Sequence, residues 1–175
     1  MNTAILNLYQ WMTVFLPETR FFSLKCWLLK RAGAKIGKNV RICSSVRIIG
    51  NGKLSIGDNC WIGPQTLISS SFPAEVKLGN NIDIAPRVFI GTGSHEIDMI
   101  NLNSAGKGIS LNIVIEDGVW ICVGSFLLPG VQIGKKAIIA AGSVVTVDIP
   151  KYTLGAGNPC RIAKEYVSIN KSIDS

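Results

Sequence analysis

The sequence contains a single histidine, His95, and its five cysteines (Cys26, Cys43, Cys60, Cys122 and Cys160) never fall as CxxC. One His and scattered Cys do not supply the three or four ligands of a zinc centre, and no metal is expected. An odd, scattered set of thiols argues against a secreted disulfide framework and for a reducing, cytoplasmic setting. Charge is sparse: 17% of residues are charged and 47% hydrophobic, which excludes a disordered chain. No run reaches the roughly 18 apolar residues that span a bilayer. The stretch from Ala4 to Leu16 is short, is broken by Asn7 and Gln10, and lacks the basic flank and cleavage site of a signal peptide.

Acidic residues are almost missing from the first third. Residues 1–53 hold nine Lys and Arg against Glu18 alone, a balance of +8, while the remainder sums to −1 of the total +7. Such a patch suits nucleic acid, anionic lipid or a phosphorylated substrate, or it is a solvated face. No interleaving of aromatic and basic residues points to nucleic acid, so none is expected as a partner.

What the chain has in abundance is a repeat. Counting in sixes from Ile36 gives Ile42 and Ile48. After two extra residues come Ile56, Ile62 and Ile68, and after four more Leu78, Ile84 and Ile90. A long gap follows, and then Ile115, Ile121, Leu127, Ile133, Ile139 and Val145 run unbroken. All fifteen positions are Ile, Leu or Val, although only 51 of 175 residues are of those types, so chance is no explanation. Each insertion falls after a set of three hexads, which makes the unit an 18-residue coil with three equivalent sides.

Small or apolar residues also stand two before the aliphatic ones, as at Val40, Leu54, Thr66, Ile82 and Val119. Two inward positions with one outward between them form a short strand. Gly often follows the aliphatic residue where a coil begins, as at Gly37, Gly57, Gly79 and Gly134. Asn39, Asn59, Asn81, Gly118 and Lys136 stand at corners, and four of the five readily adopt φ > 0. The pattern predicts an all-β solenoid, a triangular parallel β-helix of about five coils over residues 34–150. An ordinary parallel sheet would need crossover helices for which there is no room.

Residues 3–16 and 18–32 read as helices separated by Pro17, with Glu18 and Thr19 in the second helix's first turn and Gly33 as its C-terminal cap. Residues 1–33 are thus expected to cap the prism, or to set Lys25, Lys30 and Arg31 on a membrane surface. Residues 151–175 are expected to form a loop and a short basic helix around Arg161 to Tyr166.

The repeat opens between Ile90 and Ile113, leaving a loop at 91–112, and an interruption this long tends to be functional. It carries His95 beside Glu96 and Asp98. Imidazole titrates near neutrality and suits a general base, with Glu96, Asp98 or a backbone carbonyl fixing its tautomer. Gly91-Thr92-Gly93 has no third glycine or following helix for a dinucleotide loop. Ser94 lacks the context of a nucleophile elbow.

With its hexads and the run IEDGVWICVGSFLLPGVQIGKKAIIAAGSVVTVDIPKYTLGAGNPCRIAKEY, the chain resembles the hexapeptide-repeat acyltransferases. It is similar to their galactoside, maltose and polysaccharide-locus O-acetyltransferase branch over roughly residues 34–166. The resemblance implies a left-handed β-helix, against the usual handedness of parallel crossovers, and a homotrimer with sites between neighbouring subunits. It implies acetyl-CoA as co-substrate, a carbohydrate acceptor and direct transfer with His95 as base. It also implies CoA contacts at Val123, Ala141, Thr146, Arg161 and Lys164.

Departures are present. Cys122 and Val123 replace a usual Gly-Ser pair, Val147 replaces a frequent Lys, and Gly63 stands where the galactoside and maltose enzymes have an acceptor-contacting Asn. Their N-terminal acceptor module is replaced by the two helices, so the expected acceptor is a sugar of a surface polysaccharide or its precursor, reached in the cytoplasm or at the inner face of the membrane. Asp83, outward in IDIAP, is a candidate to reach a neighbour's site. The rival readings are a nucleotide-sugar N-acetyltransferase and a non-catalytic β-helical scaffold.

Overall fold

The structure, a computed structural model, describes residues 1–166. Two helices, α1 (Thr3–Thr13) and α2 (Phe22–Arg31), precede the first coil. That coil is β1 (Lys35–Ile36), β2 (Arg41–Ile42) and β3 (Arg47–Ile49), and the second is β4 (Lys53–Ile56), β5 (Trp61–Ile62) and β6 (Leu67–Ser69). The third is β7 (Glu75–Leu78), β8 (Asp83–Ile84) and β9 (Phe89–Gly91), after which β10 (Gly93–Ile97) and β11 (Ala105–Ser110) leave the stack. The fourth is β12 (Ile113–Ile115), β13 (Trp120–Ile121) and β14 (Phe126–Leu127), and the fifth β15 (Gln132–Ile133), β16 (Ile138–Ile139) and β17 (Val144–Val145). The chain closes with β18 (Thr153–Ala156) and β19 (Arg161–Glu165).

Like strands of successive coils pair in parallel to make three sides, in the orders β1-β4-β7-β12-β15, β2-β5-β8-β13-β16-β18 and β3-β6-β9-β14-β17. The result is a left-handed β-helix of about five turns. Every hexad aliphatic from Ile36 to Val145 is buried, and so are the small residues two before it. Two inward hydroxyls are satisfied by the wall itself: Thr66 donates to the Ala85 carbonyl at 3.3 Å and Ser125 to the Cys122 carbonyl at 2.9 Å.

The corners follow the sequence pattern. Asn39, Asn59, Asn81, Gly118 and Lys136 all have positive φ, between 53° and 71°. The asparagines also bond to each other up the edge, Asn39 Nδ2 to Asn59 Oδ1 at 3.0 Å and Asn59 Nδ2 to Asn81 Oδ1 at 3.3 Å. Gly57 is required by closeness: a Cβ there would lie 2.5 Å from the Gly79 carbonyl oxygen of the next coil.

The helices cover the open end of the prism, α2 against β1 and β2 and α1 against β3. Both are shorter than the sequence suggests. Glu18 and Thr19 belong to a turn, not to α2, because that turn is latched to the first coil. The Glu18 carbonyl accepts from the Ser44 backbone N–H (3.1 Å) and from Lys25 Nζ (3.2 Å), and Ser44 Oγ donates to the Pro17 carbonyl (2.8 Å). Phe21 then opens α2 with φ of 54°. At the other end Gly33 (φ 95°) does cap α2: Gly33 N–H reaches Lys30 O and Ala34 N–H reaches Leu29 O.

Two further expectations are corrected. Lys25 is fully buried rather than surface-facing, with its ammonium on Glu18 O and Ser44 Oγ, and desolvation lowers its pKa. Arg161 to Tyr166 is not a helix: β19 runs antiparallel to β18. An open sheet edge is a stronger partner than one isolated helical turn. The expected loop before β19 also contains a strand, β18, which pairs parallel with β16, and residues 167–175 lie outside the described residues.

Candidate functional site

The interruption of the repeat is a two-stranded arm rather than a loop. β10 and β11 pair antiparallel, with Gly93 opposite Ser110, His95 opposite Gly108 and Ile97 opposite Ala105. One residue, Glu96, thus faces two, Gly106 and Lys107, so β11 carries a bulge. The bulge brings the Gly106 carbonyl to 2.9 Å from His95 Nδ1. A carbonyl only accepts, so Nδ1 carries a proton, and in the neutral ring the lone pair is on Nε2.

Of the three candidate partners for the imidazole, the backbone carbonyl therefore holds the ring, and neither Glu96 nor Asp98 does. Glu96, adjacent in the strand, projects to the opposite face. Asp98 closes the arm's tip instead, accepting from the Ile100 and Asn101 backbone N–H groups at 2.8 and 2.9 Å and from the Asn101 side chain. The Asn101 side chain first, then those N–H groups, hold its carboxyl below the usual carboxylate range. Gly106 has no sequence signal, because what it contributes is a backbone atom. Beyond His95 the arm is bare: Ile97, Met99, Ile100 and Leu102 are all at least 80% exposed.

The other expected residues occupy two different edges. Val123 and Ala141 stand on successive coils at the corner between the second and third sides, where Gly142 N–H bonds to Val123 O at 2.9 Å. The segment entering β19 runs beside the same corner, with Gly157 O accepting from Val144 N–H and Arg161 Nη1 donating to Cys160 O at 2.8 Å. Lys164 lies along β19 with its ammonium 5.1 Å from the Tyr166 ring. Thr146 stands on the next corner, which is also the one from which the His95 arm springs. Within one chain, the histidine and the Val123–Ala141–Arg161 edge are not brought together.

Outward ladders are a feature that counting inward positions does not predict. On the third side Leu67, Phe89, Phe126 and Val144 stack in register, the two phenylalanine rings 5.9 Å apart. On the second side Asp83 lies between Trp61 and Trp120. At Gly63 a side chain is excluded, since a Cβ would approach the Ile84 carbonyl oxygen to 2.7 Å.

Comparison with known proteins decides the family. WcaF of Escherichia coli K12, named as a colanic acid biosynthesis acetyltransferase, is 33% identical over 146 residues, covering 82% of this chain and 75% of its own length. The chain belongs to the hexapeptide-repeat acetyltransferases. The family described as bacterial transferase hexapeptide (six repeats) matches residues 112–146. The galactoside O-acetyltransferase of the same bacterium is 33% identical over 138 residues, covering 79% of this chain and 66% of that protein.

An N-acyltransferase of Bacillus cereus, AntD, solved with dTDP and 3-hydroxybutyryl-CoA, superposes with a TM-score of 0.67. It does so at 22% identity over 78% of this chain and 74% of its own, a likeness of fold. This family member spans between 55% and 75% of the length of the first curated relatives it matches.

Proposed function

We propose that this protein is an acetyl-CoA-dependent O-acetyltransferase of the cytoplasm, acting on a sugar hydroxyl of a surface polysaccharide or its precursor, with His95 as general base. The observation that carries the reading is the Nδ1 hydrogen bond to Gly106, which leaves Nε2 free to accept a proton on an arm set outside the stack. Nε2 takes the proton of the acceptor hydroxyl as that oxygen attacks the thioester carbonyl. Backbone N–H groups steady the oxyanion. The C–S bond then breaks and the imidazolium returns the proton to the departing thiolate. The acetyl group passes directly to the sugar, with no acyl-enzyme.

CoA is assigned to Val123, Ala141, Thr146, Arg161 and Lys164, with Arg161 and Lys164 on its phosphates. Because His95 and most of these residues occupy different edges, we place the working site between subunits of a homotrimer, each arm serving its neighbour's edge. The bare apolar arm and the Leu67–Phe89–Phe126–Val144 ladder are surfaces that such an assembly would cover. Asp83, outward between Trp61 and Trp120, stays a candidate to reach a neighbour's site, whereas Glu96 is given no step because the Gly106 carbonyl takes the orienting place expected of it.

An amine acceptor on a nucleotide sugar is the second reading, supported by the fold likeness to an N-acyltransferase. The 33%-identical galactoside O-acetyltransferase favours the hydroxyl.

Calorimetric titration with acetyl-CoA is the first test, with about one site per chain expected. Thiol release with neutral sugars against amino-sugar nucleotides then separates the two acceptors. A trimer that binds no acetyl-CoA would instead be a scaffold.

A further inference from the structure

Helix α1 has an unusual outer face. Its inner stripe, Leu6, Tyr9 and Thr13, is buried against the prism. The opposite stripe, Leu8, Trp11 and, just past the helix end, Phe15, is 48%, 67% and 73% exposed, with the two rings 5.7 Å apart. No charged side chain occurs in residues 1–17. A helix that carries large apolar side chains on two opposite faces ordinarily buries both, yet among the described residues nothing covers this one.

Cations border it. Arg20, Lys30, Arg31 and Arg47 are exposed, the Arg31 guanidinium lies 5.1 Å from the half-exposed Trp27 ring, and Arg47 Nε bonds to Gln10 of α1 at 3.3 Å. The one acid nearby, Glu18, is exposed and lines the same groove as Trp11 and Arg47, with its carboxylate accepting from the Ser45 N–H at 3.2 Å. A groove of about 620 Å³ sets Trp11, Val14 and Leu16 against Arg47.

We propose that the helical end of the prism docks on an anionic lipid bilayer, with Trp11, Phe15 and Trp27 entering the headgroup region and Arg20, Lys30, Arg31 and Arg47 meeting lipid phosphates. Capping the prism and touching a membrane are tasks of opposite faces of the same helices, so one does not exclude the other. A second copy of the chain fits poorly, because two such ends would bring their excess positive charges together. Anionic lipid supplies both an apolar phase for the rings and the opposite charge, the pair of signals that stable peripheral binding needs. The inference does not depend on the reaction proposed above.

The test is flotation of the full chain with vesicles of phosphatidylcholine, with and without phosphatidylglycerol. Binding is expected only with phosphatidylglycerol, and it should fall as salt is raised. Lys30→Gln with Arg31→Gln should weaken it about 30-fold, from roughly a factor of five per basic residue. Trp11→Ser with Phe15→Ser should weaken it roughly tenfold or more. Both variants alter exposed side chains, so melting midpoint and acetyl-CoA binding serve as controls that should stay unchanged. Three results would overturn the proposal: no flotation at low salt, flotation indifferent to both double variants, or a lipid-free self-association that Trp11→Ser with Phe15→Ser dissolves. The last would make the patch an interface between copies.

Discussion

His95 and Gly106 face each other across the two strands of the arm, and the 2.9 Å contact from Nδ1 to the Gly106 carbonyl fixes which ring nitrogen is basic. Removing the imidazole should therefore remove proton transfer without touching the prism. His95→Ala is expected to lower turnover by about 10²–10⁴ while leaving CoA affinity and the thermal midpoint unchanged. Steady-state kinetics with calorimetry checks this, and near-normal turnover would remove His95 as base.

Arg161 donates to its neighbour's carbonyl at the entry to β19, leaving guanidinium donors for a phosphate. Arg161→Ala should weaken CoA binding by about 1.5–3 kcal/mol, the range for hydrogen bonds to charged groups. Titration of CoA into both proteins tests it, and equal affinities would reassign the residue.

Gly57 has no space for a methyl group beneath the Gly79 carbonyl. Gly57→Ala should force the second and third coils apart locally, at a cost of about 1–3 kcal/mol. Denaturant unfolding of the variant measures it, and a shift within error of zero would mean that the coils separate freely.

Burial raises the pKa of all five thiols above their ordinary 9.0 and pushes the Tyr9 hydroxyl up from 10.0. Above those ordinary values the unfolded chain gives up protons that the folded chain keeps, so stability should fall as pH rises past 9. Lys25 works the other way. Its lowered pKa is a penalty on the folded chain at low pH, and that penalty is relieved as pH rises from the lowered value to 10.5. Six groups oppose one, and the net expectation is alkaline destabilisation. Unfolding midpoints measured under reductant from neutral pH to about pH 10 should decline, and a flat profile would mean that the thiols are not desolvated.

The prism was legible because its rule is local and repeated: an aliphatic residue every six positions must point inward, and Asn39, Asn59 and Asn81 mark where the chain must turn with positive φ. His95 was legible as the only imidazole in the only long interruption. What lay beyond reading depends on partners rather than identities. The arm has no alternating pattern because neither of its faces is buried within the chain, so β10 and β11 look like loop. The group that orients His95 is a carbonyl, which every residue has. Lys25 resembles any surface lysine until Ser44, nineteen residues on, is folded over it, and Arg161–Glu165 looked helical until the free edge of β18 was present to receive it.

The ends of the stack have a consequence for how the molecule behaves in a crowd of its own kind. Short parallel rungs piled one on another are the makings of a cross-β fibre, and a terminal rung left bare would template the next molecule. Here α1 and α2 lie over the first coil. At the other end Ile149 bonds to β15, Gly157 and Cys160 to β17, and β19 runs against the direction of β18. The helices cover the first rung, and the reversed β19 gives a further parallel rung on the second side no strand of matching direction to extend.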